Sequence, residues 1–315
     1  NVVPLSIGTD TGGSIRQPAS YCGIYGLKPT YGQVSRYGAV AFASSLDQIG
    51  PFARSADDIA LLMSVIEGHD PLDSTSYSNS VKTNPTIQTL TKQDWKKLKI
   101  GVQIPDKNEL GFEESVIHAC HSLIDKLTEL GVQVIPIQSK LWKYSIPLYY
   151  ILATAEASSN LARFDGIRFG VRSRNAKGLI DLYIRSRTEG FGAEVKRRIL
   201  LGTYVLSSGY YDAYYNKAAK ARTMIQSEYQ EFFTKVDLII QPTTPSVAFK
   251  IGEKVNDPIS MYKNDLLTNP VNLGGVPALS LPFGEDSNGL PIGIQVTSKH
   301  FGENRILSFA KSLET

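Results

Sequence analysis

Gly12-Gly13-Ser14, inside Gly8-Thr-Asp-Thr-Gly-Gly-Ser-Ile-Arg-Gln-Pro18, couples a hydroxyl to a backbone that can turn tightly around it. Neither glycine carries a Cβ, so consecutive N–H groups can converge on one point. Ser14 can stand where they converge, at the start of a helix whose positive end favours developing negative charge. A nucleophile beside an oxyanion hole built from the N–H groups of Thr11, Gly12, Gly13 and Ser14 is the arrangement acyl transfer requires. A Gly-rich turn capped by serine is the plainer reading, and GGS alone favours it. Asp10 and Arg16 flank the serine with opposite charges, as an ion pair that fixes the loop rather than as reacting groups.

Other side chains offer less. Cys22 and Cys120 stand far apart without CxxC or Cys/His spacing, which argues against a zinc site and reads as two buried free thiols. Of the four histidines, His69 with Asp70 is the best candidate for a Ser-His-Asp arrangement, but its setting before Pro71 fits a solvated turn equally well.

The longer string GTDTGGSIRQPASYCGIYGLKPT, running from Gly8 to Thr30, resembles the nucleophile segment of the amidase signature family. Further matching blocks are Tyr31–Gly38, Ala43–Pro51, Glu156–Arg168, Ser208–Tyr215 and Asn269–Ser280. These later blocks are most similar to the glutaminase subunits of tRNA-dependent amidotransferases within that family. The resemblance implies an α/β amidase signature fold, a central mixed twisted sheet flanked by helices on both faces. It implies a Ser–cis-Ser–Lys triad in which Ser14 is the nucleophile that forms the acyl ester. The lysine and bridging serine are expected upstream of Asn1, so residues 1–315 are expected to be the C-terminal two-thirds or so of one domain, inactive alone. Ser6 and Lys28 match the family at structural positions and do not replace them.

The resemblance also implies the substrate contacts. Free glutamine brings an α-carboxylate and an α-ammonium, and both need partners when desolvated. A guanidinium fork suits the first and an acidic side chain the second. The matching residues are Arg198 in Val195-Lys-Arg-Arg198 and Asp265 in Met261-Tyr-Lys-Asn-Asp265, with Tyr149 beside the site. Arg197 and Tyr150 remain the alternatives one step away. Ammonia would pass to a B-type partner of the amidotransferase that holds ATP, Mg²⁺ and most of the Glu-tRNA(Gln) contact, with a small third subunit of C or F type. No cofactor or metal is expected in this chain. The alternative functions are a stand-alone amidase of broad specificity and a non-catalytic scaffold subunit.

The elements that must position these residues emerge from pattern. Asn1–Ile7 reads as a strand entering the glycine turn, and residues 24 to 54 as irregular loops over the site. Ser55 caps an amphipathic helix through Glu67 with Ile59, Leu62, Met63 and Ile66 on one face. Residues 71 to 96 are polar and read as a surface excursion. Leu98–Ile104, a helix over 112 to 130 and Val132–Ile137 form a β-α-β unit with parallel pairing. Helices come next over 144 to 164, 175 to 186 and, in two pieces broken near Gly209, from Ala193 to Phe233. Strands at Asp237–Ile240 and Gly293–Val296 precede a last helix over 303 to 314.

The 42% hydrophobic and 20% charged residues suit an ordinary globular enzyme. No apolar run reaches the roughly 20 residues a bilayer span needs. A net charge of +3 is too small to argue for nucleic-acid binding. The tyrosines at 204, 210, 211, 214 and 215 read as packing or a subunit contact rather than base stacking. The Asn, Lys and Ser bias of 71–96 points to the mitochondrial matrix, with a bacterial cytoplasm as the alternative.

Overall fold

The computed structural model describes residues 2–79, 81–104, 111–253 and 258–314. They form two compact units. The first takes in Asn1–Gly38, Gln48–Ile146 and Thr223–Thr315, and the second Ala39–Asp47 with Pro147–Arg222. The chain crosses between them four times, so no single linker marks the division.

The first unit is built on one eight-stranded sheet in the order β1-β3-β2-β7-β8-β6-β4-β5. In chain order these are β1 (Ser6–Asp10), β2 (Tyr25–Lys28), β3 (Gln48–Ala53), β4 (Lys99–Val102), β5 (Gln133–Pro136), β6 (Leu238–Pro242), β7 (Ala278–Glu285) and β8 (Pro291–Ser298). β4 runs parallel to β5 and β6, and the other pairings are antiparallel. The sheet is therefore mixed. Its helices are α1 (Arg16–Cys22), α2 (Ala56–Ile66), α3 (Lys92–Lys97) and α4 (Glu114–Glu129) early in the chain. The later helices of the chain, of which α6, α7 and α5 from Pro147 belong to the second unit, are α5 (Ser145–Asn160), α6 (Leu179–Gly190), α7 (Ala193–Val205), α8 (Lys217–Lys235), α9 (Pro258–Lys263), α10 (Asn269–Gly274) and α11 (Glu303–Lys311).

Strand alternation sorts the two faces. Leu27, Leu279 and Val296 point into the main core with Ile59 and Met63 of α2, Leu123 and Leu127 of α4, and Ile306 and Phe309 of α11. Their neighbours Gly26, Ala278 and Gln295 point the other way. There Ala19 of α1 crowds the Gly26 backbone, and Val271 of α10 packs with Ala278, Tyr229 and Phe233. Helices thus cover both faces.

Several expectations are met. α2 starts on the Ser55 cap, whose hydroxyl accepts from the Asp58 N–H. α4 buries Val116, Ala119, Leu123 and Leu127 as the 3.6-residue period requires, between the parallel strands β4 and β5. Others are corrected. Residues 2–5 are not strand, and β1 begins only at Ser6. Residues 24–54 are loop only in part: 29–47 are irregular as expected, but β2 and β3 on either side of them are buried strands of the sheet. Their glycines and prolines hid them: Gly50 faces the Leu27 carbonyl too closely for any side chain. Residues 71–96 run mostly as exposed loop outside α3, fastened to the main core by Ile87 and Trp95, each 4% exposed.

The second unit comprises residues 39–47, the part of α5 from Pro147, α6, α7 and residues up to Arg222. The Glu156 carboxylate accepts from the Ser45 N–H (2.8 Å) and hydroxyl (2.5 Å), and Arg222 donates to the Ser45 carbonyl at 2.8 Å. α5 and α7 pack at Gly202, where a Cβ would strike the Thr154 carbonyl.

Candidate active site

β1 carries Asp10 to the mouth of the glycine turn, and the Asp10 carboxylate organises the start of α1. Its Oδ2 accepts from the N–H of Ile15 at 3.3 Å and of Arg16 at 3.4 Å. Those are two of the four N–H groups that a helix start leaves without partners, and they are satisfied from five and six residues upstream. α1 accordingly begins at Arg16 rather than at Ser14, and has only seven residues. The helix dipole expected at Ser14 is replaced by the turn's own amides. α1 stops at Gly23, in the left-handed region at φ 64°.

Asp10 and Arg16 are both fully buried and 3.0 Å apart. All five guanidinium donors are used. Nε and NH2 reach the two Asp10 oxygens at 3.0 Å each, and NH1 reaches the Thr268 carbonyl (3.1 Å) and Gln295 Oε1 (2.6 Å). NH2 also donates to Asn272 Oδ1, whose amide returns a bond to Asp10 Oδ1 at 2.8 Å. Burial alone would raise the Asp10 pKa, but Arg16, Lys28 and the Asn272 amide outweigh it and hold the carboxyl below its usual range. This is the structural ion pair expected from sequence, and it ties β1, α1, α10 and β8 together beneath the turn.

Above the pair, Gly13 adopts φ 140°, where L side chains are strained. A Cβ there would also stand 2.7 Å from the Thr268 Cβ. The Thr268 hydroxyl donates to the Gly12 carbonyl at 2.6 Å, turning that carbonyl inward. Gly13 O is taken by the Gln17 N–H at 2.8 Å. Among the described residues, no hydrogen bond draws on the N–H of Gly12, Gly13 or Ser14, whereas Thr11 already has an interaction partner. Gly12 and Gly13 are buried, yet Ser14 between them and buried Ile15 is exposed. The turn offers a hydroxyl and uncommitted amides on its open side. Asp265, half-buried, accepts from Gln17 Nε2 at 2.8 Å, three residues along from Ser14.

Arg198 lies in the second unit. Its guanidinium stands over the rings of Phe42 and Tyr150, 5.6 Å from each centroid, and its Nε donates to Glu194 at 3.0 Å. Arg197 also pairs with Glu194, but its side chain is 58% exposed against 26% for Arg198. Burial works against the Arg198 cation, but the Glu194 bond and the nearby Tyr150 and Tyr149 hydroxyls raise its pKa on balance. Tyr149 is buried and packs edge-on against Tyr150 at 5.2 Å, so the ring beneath Arg198 is that of Tyr150.

Lys28 is fully buried on β2 and donates to the Pro29 carbonyl at 2.9 Å. Burial and the Arg16 charge push its pKa down to about 7. Ser6 is exposed at the start of β1. Cys22 is exposed, contrary to expectation, because it ends the short α1, whereas Cys120 is buried and its thiol is pushed up to about 12. His69 is exposed, and Asp70 accepts from the Ser35 hydroxyl (2.6 Å) and the Leu72 N–H (2.9 Å) as part of a turn. Sequence reasoning missed Gln17, Thr268, Asn272 and Gln295. Gln17 is local to the turn, but the other three reach it from 256 to 279 residues away, and no local spacing signals that.

The chain matches the amidase family over residues 1–307. It is 55% identical over 315 residues to the A-type subunit of glutamyl-tRNA(Gln) amidotransferase from Leptospira interrogans serogroup Icterohaemorrhagiae serovar copenhageni, covering 100% of this chain and 63% of the relative. A crystal structure of the corresponding glutamyl-tRNA(Gln) amidotransferase subunit from Thermotoga maritima superposes with a TM-score of 0.77 at 42% identity, covering 99% of this chain and 62% of the other. A crystal structure of an amidase matches at 27% identity with a TM-score of 0.74, over 98% of this chain and 62% of that one. The chain thus spans a little under two-thirds of the relatives it matches. By sequence and by fold, with the glycine turn and Ser14 at its open side, the chain belongs to the amidase signature family.

Proposed function

We propose that the protein is the glutaminase subunit of a tRNA-dependent amidotransferase, hydrolysing glutamine to supply ammonia for converting Glu-tRNA(Gln) to Gln-tRNA(Gln). The observation that carries this reading is an exposed Ser14 beside uncommitted amides of Gly12 and Gly13, in a chain 55% identical to an A-type amidotransferase subunit. Ser14 Oγ attacks the side-chain amide carbon, and the N–H groups of Gly12, Gly13 and Ser14 receive the oxyanion. The Ser14 proton passes through a bridging serine to a lysine and on to the leaving ammonia, as in the family's Ser–cis-Ser–Lys triad. Water then cleaves the ester, releasing glutamate and restoring Ser14.

Arg198 takes the substrate α-carboxylate, Asp265 the α-ammonium, and the Tyr149–Tyr150 pair backs the arginine. The B-type partner holds ATP and Mg²⁺ and most of the Glu-tRNA(Gln) contact, and a small C- or F-type subunit completes the assembly. The composition of residues 71–96 supports a mitochondrial-matrix setting, which fractionation of the tagged protein checks. Ser14→Ala in the assembled enzyme is expected to lower glutamine-dependent amidation by about 10⁴-fold while leaving amidation from ammonium salts intact. Equal loss with both nitrogen sources removes the acyl-enzyme role.

A further inference from the structure

Charge and apolar surface concentrate together in one stretch of the second unit. Residues 163–198 hold ten Lys and Arg against four Asp and Glu, whereas the whole chain carries only +3. Arg172, Arg174 and Lys177 are exposed and form no ion pair among the described residues. Helix α6 runs through this stretch with its amphipathicity reversed. It buries Leu182 and Ser186, while Leu179, Ile180, Tyr183 and Ile184 face outward, Ile180 at 75% exposure and Ile184 at 60%. A helix that packs only by its own unit turns its apolar stripe inward. The preceding loop continues the pattern, with exposed Ile167, Phe169 and Val171 beside exposed Arg168 and Arg172. That loop is held to α6, because the Ser173 N–H donates to the Ser186 hydroxyl (3.1 Å) and the Ser173 hydroxyl to Glu189 (3.0 Å). Clustered exposed aliphatics of this kind mark a contact surface.

We propose that the outer face of α6 together with residues 167–174 docks a companion subunit through a segment that intersperses carboxylates with aliphatic side chains. The chemistry selects this occupant. Unpaired arginines call for carboxylates or phosphates, and the aliphatic majority decides between these. Nucleic acid is gripped by cations with planar rings for stacking, and Ile, Leu and Val side chains gain nothing from it. Apolar anchors ringed by charge are the anatomy of a protein–protein interface. The inference rests on the amidotransferase reading for the existence of companion subunits and adds where one of them binds.

The test uses the full-length protein with its purified companion subunits, by titration calorimetry and size-exclusion chromatography. Ile180→Asp with Ile184→Asp is expected to weaken assembly by roughly 30-fold or more, as loss of two buried anchors does. Arg172→Glu with Arg174→Glu is expected to weaken it about tenfold at low salt and by much less at high salt. All four residues are exposed, and unchanged thermal midpoints confirm folding. Assembly as tight as wild type in both variants overturns the proposal. So does hydrogen-exchange protection of α6 in the full-length protein by itself, which would mean that its own chain covers the face. Loss of Glu-tRNA(Gln) binding with unaltered assembly overturns it in favour of nucleic acid. The Ser14→Ala nitrogen-source assay reads the catalytic proposal separately, because it does not depend on this face.

Discussion

Arg197 and Arg198 are adjacent, share Glu194, and differ in what surrounds them. The aromatic rings that flank Arg198 leave its outer guanidinium edge as the part able to bind a carboxylate in two places, whereas Arg197 is mostly in water. Loss of a charge-assisted pair of hydrogen bonds is worth about 1.5–3 kcal/mol, or roughly 10- to 100-fold. Arg198→Ala in the assembled enzyme is therefore expected to raise the glutamine KM by that factor with little change in kcat. Arg197→Ala is expected to change KM less than about twofold. Steady-state kinetics over a glutamine series decide, and a larger KM effect at Arg197 would refute the assignment. The sequence narrows the choice to these neighbours and stops there. The discrimination comes from Phe42, more than 150 residues upstream, and from Tyr150 on another helix.

At the level of elements, legibility depended on whether an element's partners are local. α4 was readable because one side of it meets one core, so its period survives in the sequence. β2 and β3 were not, because Gly26 and Gly50 are required by close backbone approach and mimic loop composition. Of β7, only Ala278–Ser280 lies inside a block that carries the resemblance, and no strand is expected over the rest of it. The start of α1 was misplaced by two residues because its cap comes from Asp10, not from a local Ser or Thr. The glycine turn itself was legible, and its strictness can be measured. Gly13→Ala places a Cβ at φ 140° and against Thr268. Strain of this kind costs about 1–3 kcal/mol, and overpacking adds a similar amount. Urea unfolding should show a loss of at least about 2 kcal/mol, with the Gly13→Ala, Thr268→Ala double variant losing less than the sum of the two singles. A Gly13→Ala protein within 0.5 kcal/mol or so of wild type would mean that the turn relaxes freely.

The whole molecule places its charges in a way that no segment shows. Lys28 on β2 stands opposite Ala278 of β7, which stands opposite Thr297 of β8, so the three share one sheet face. Asp10, Arg16, His300 and Glu303 converge on Lys28 from β1, α1, the turn before α11 and α11 itself. Sequence reading identified Lys28 as structural but could not show that it is fully buried among other charges. Its pKa, lowered from 10.5 to about 7 by burial first and the Arg16 charge second, has a consequence for folding. Below pH 7 or so Lys28 is protonated in both folded and unfolded chains. Between about 7 and 10.5 only the unfolded chain keeps the proton, so the Lys28 contribution to unfolding free energy becomes more favourable as pH rises through that window. Glu303, whose pKa burial raises, acts in the opposite sense from 4.5 upward. The wild-type slope therefore mixes the two groups, and a difference isolates Lys28. Lys28→Met keeps a long side chain without a proton to exchange. Its urea-unfolding free energy, relative to wild type, is expected to be most favourable near pH 7 and to lose that advantage steadily toward pH 10. A difference independent of pH across this window would show that Lys28 keeps its proton in the folded protein, held by the carboxylates around it.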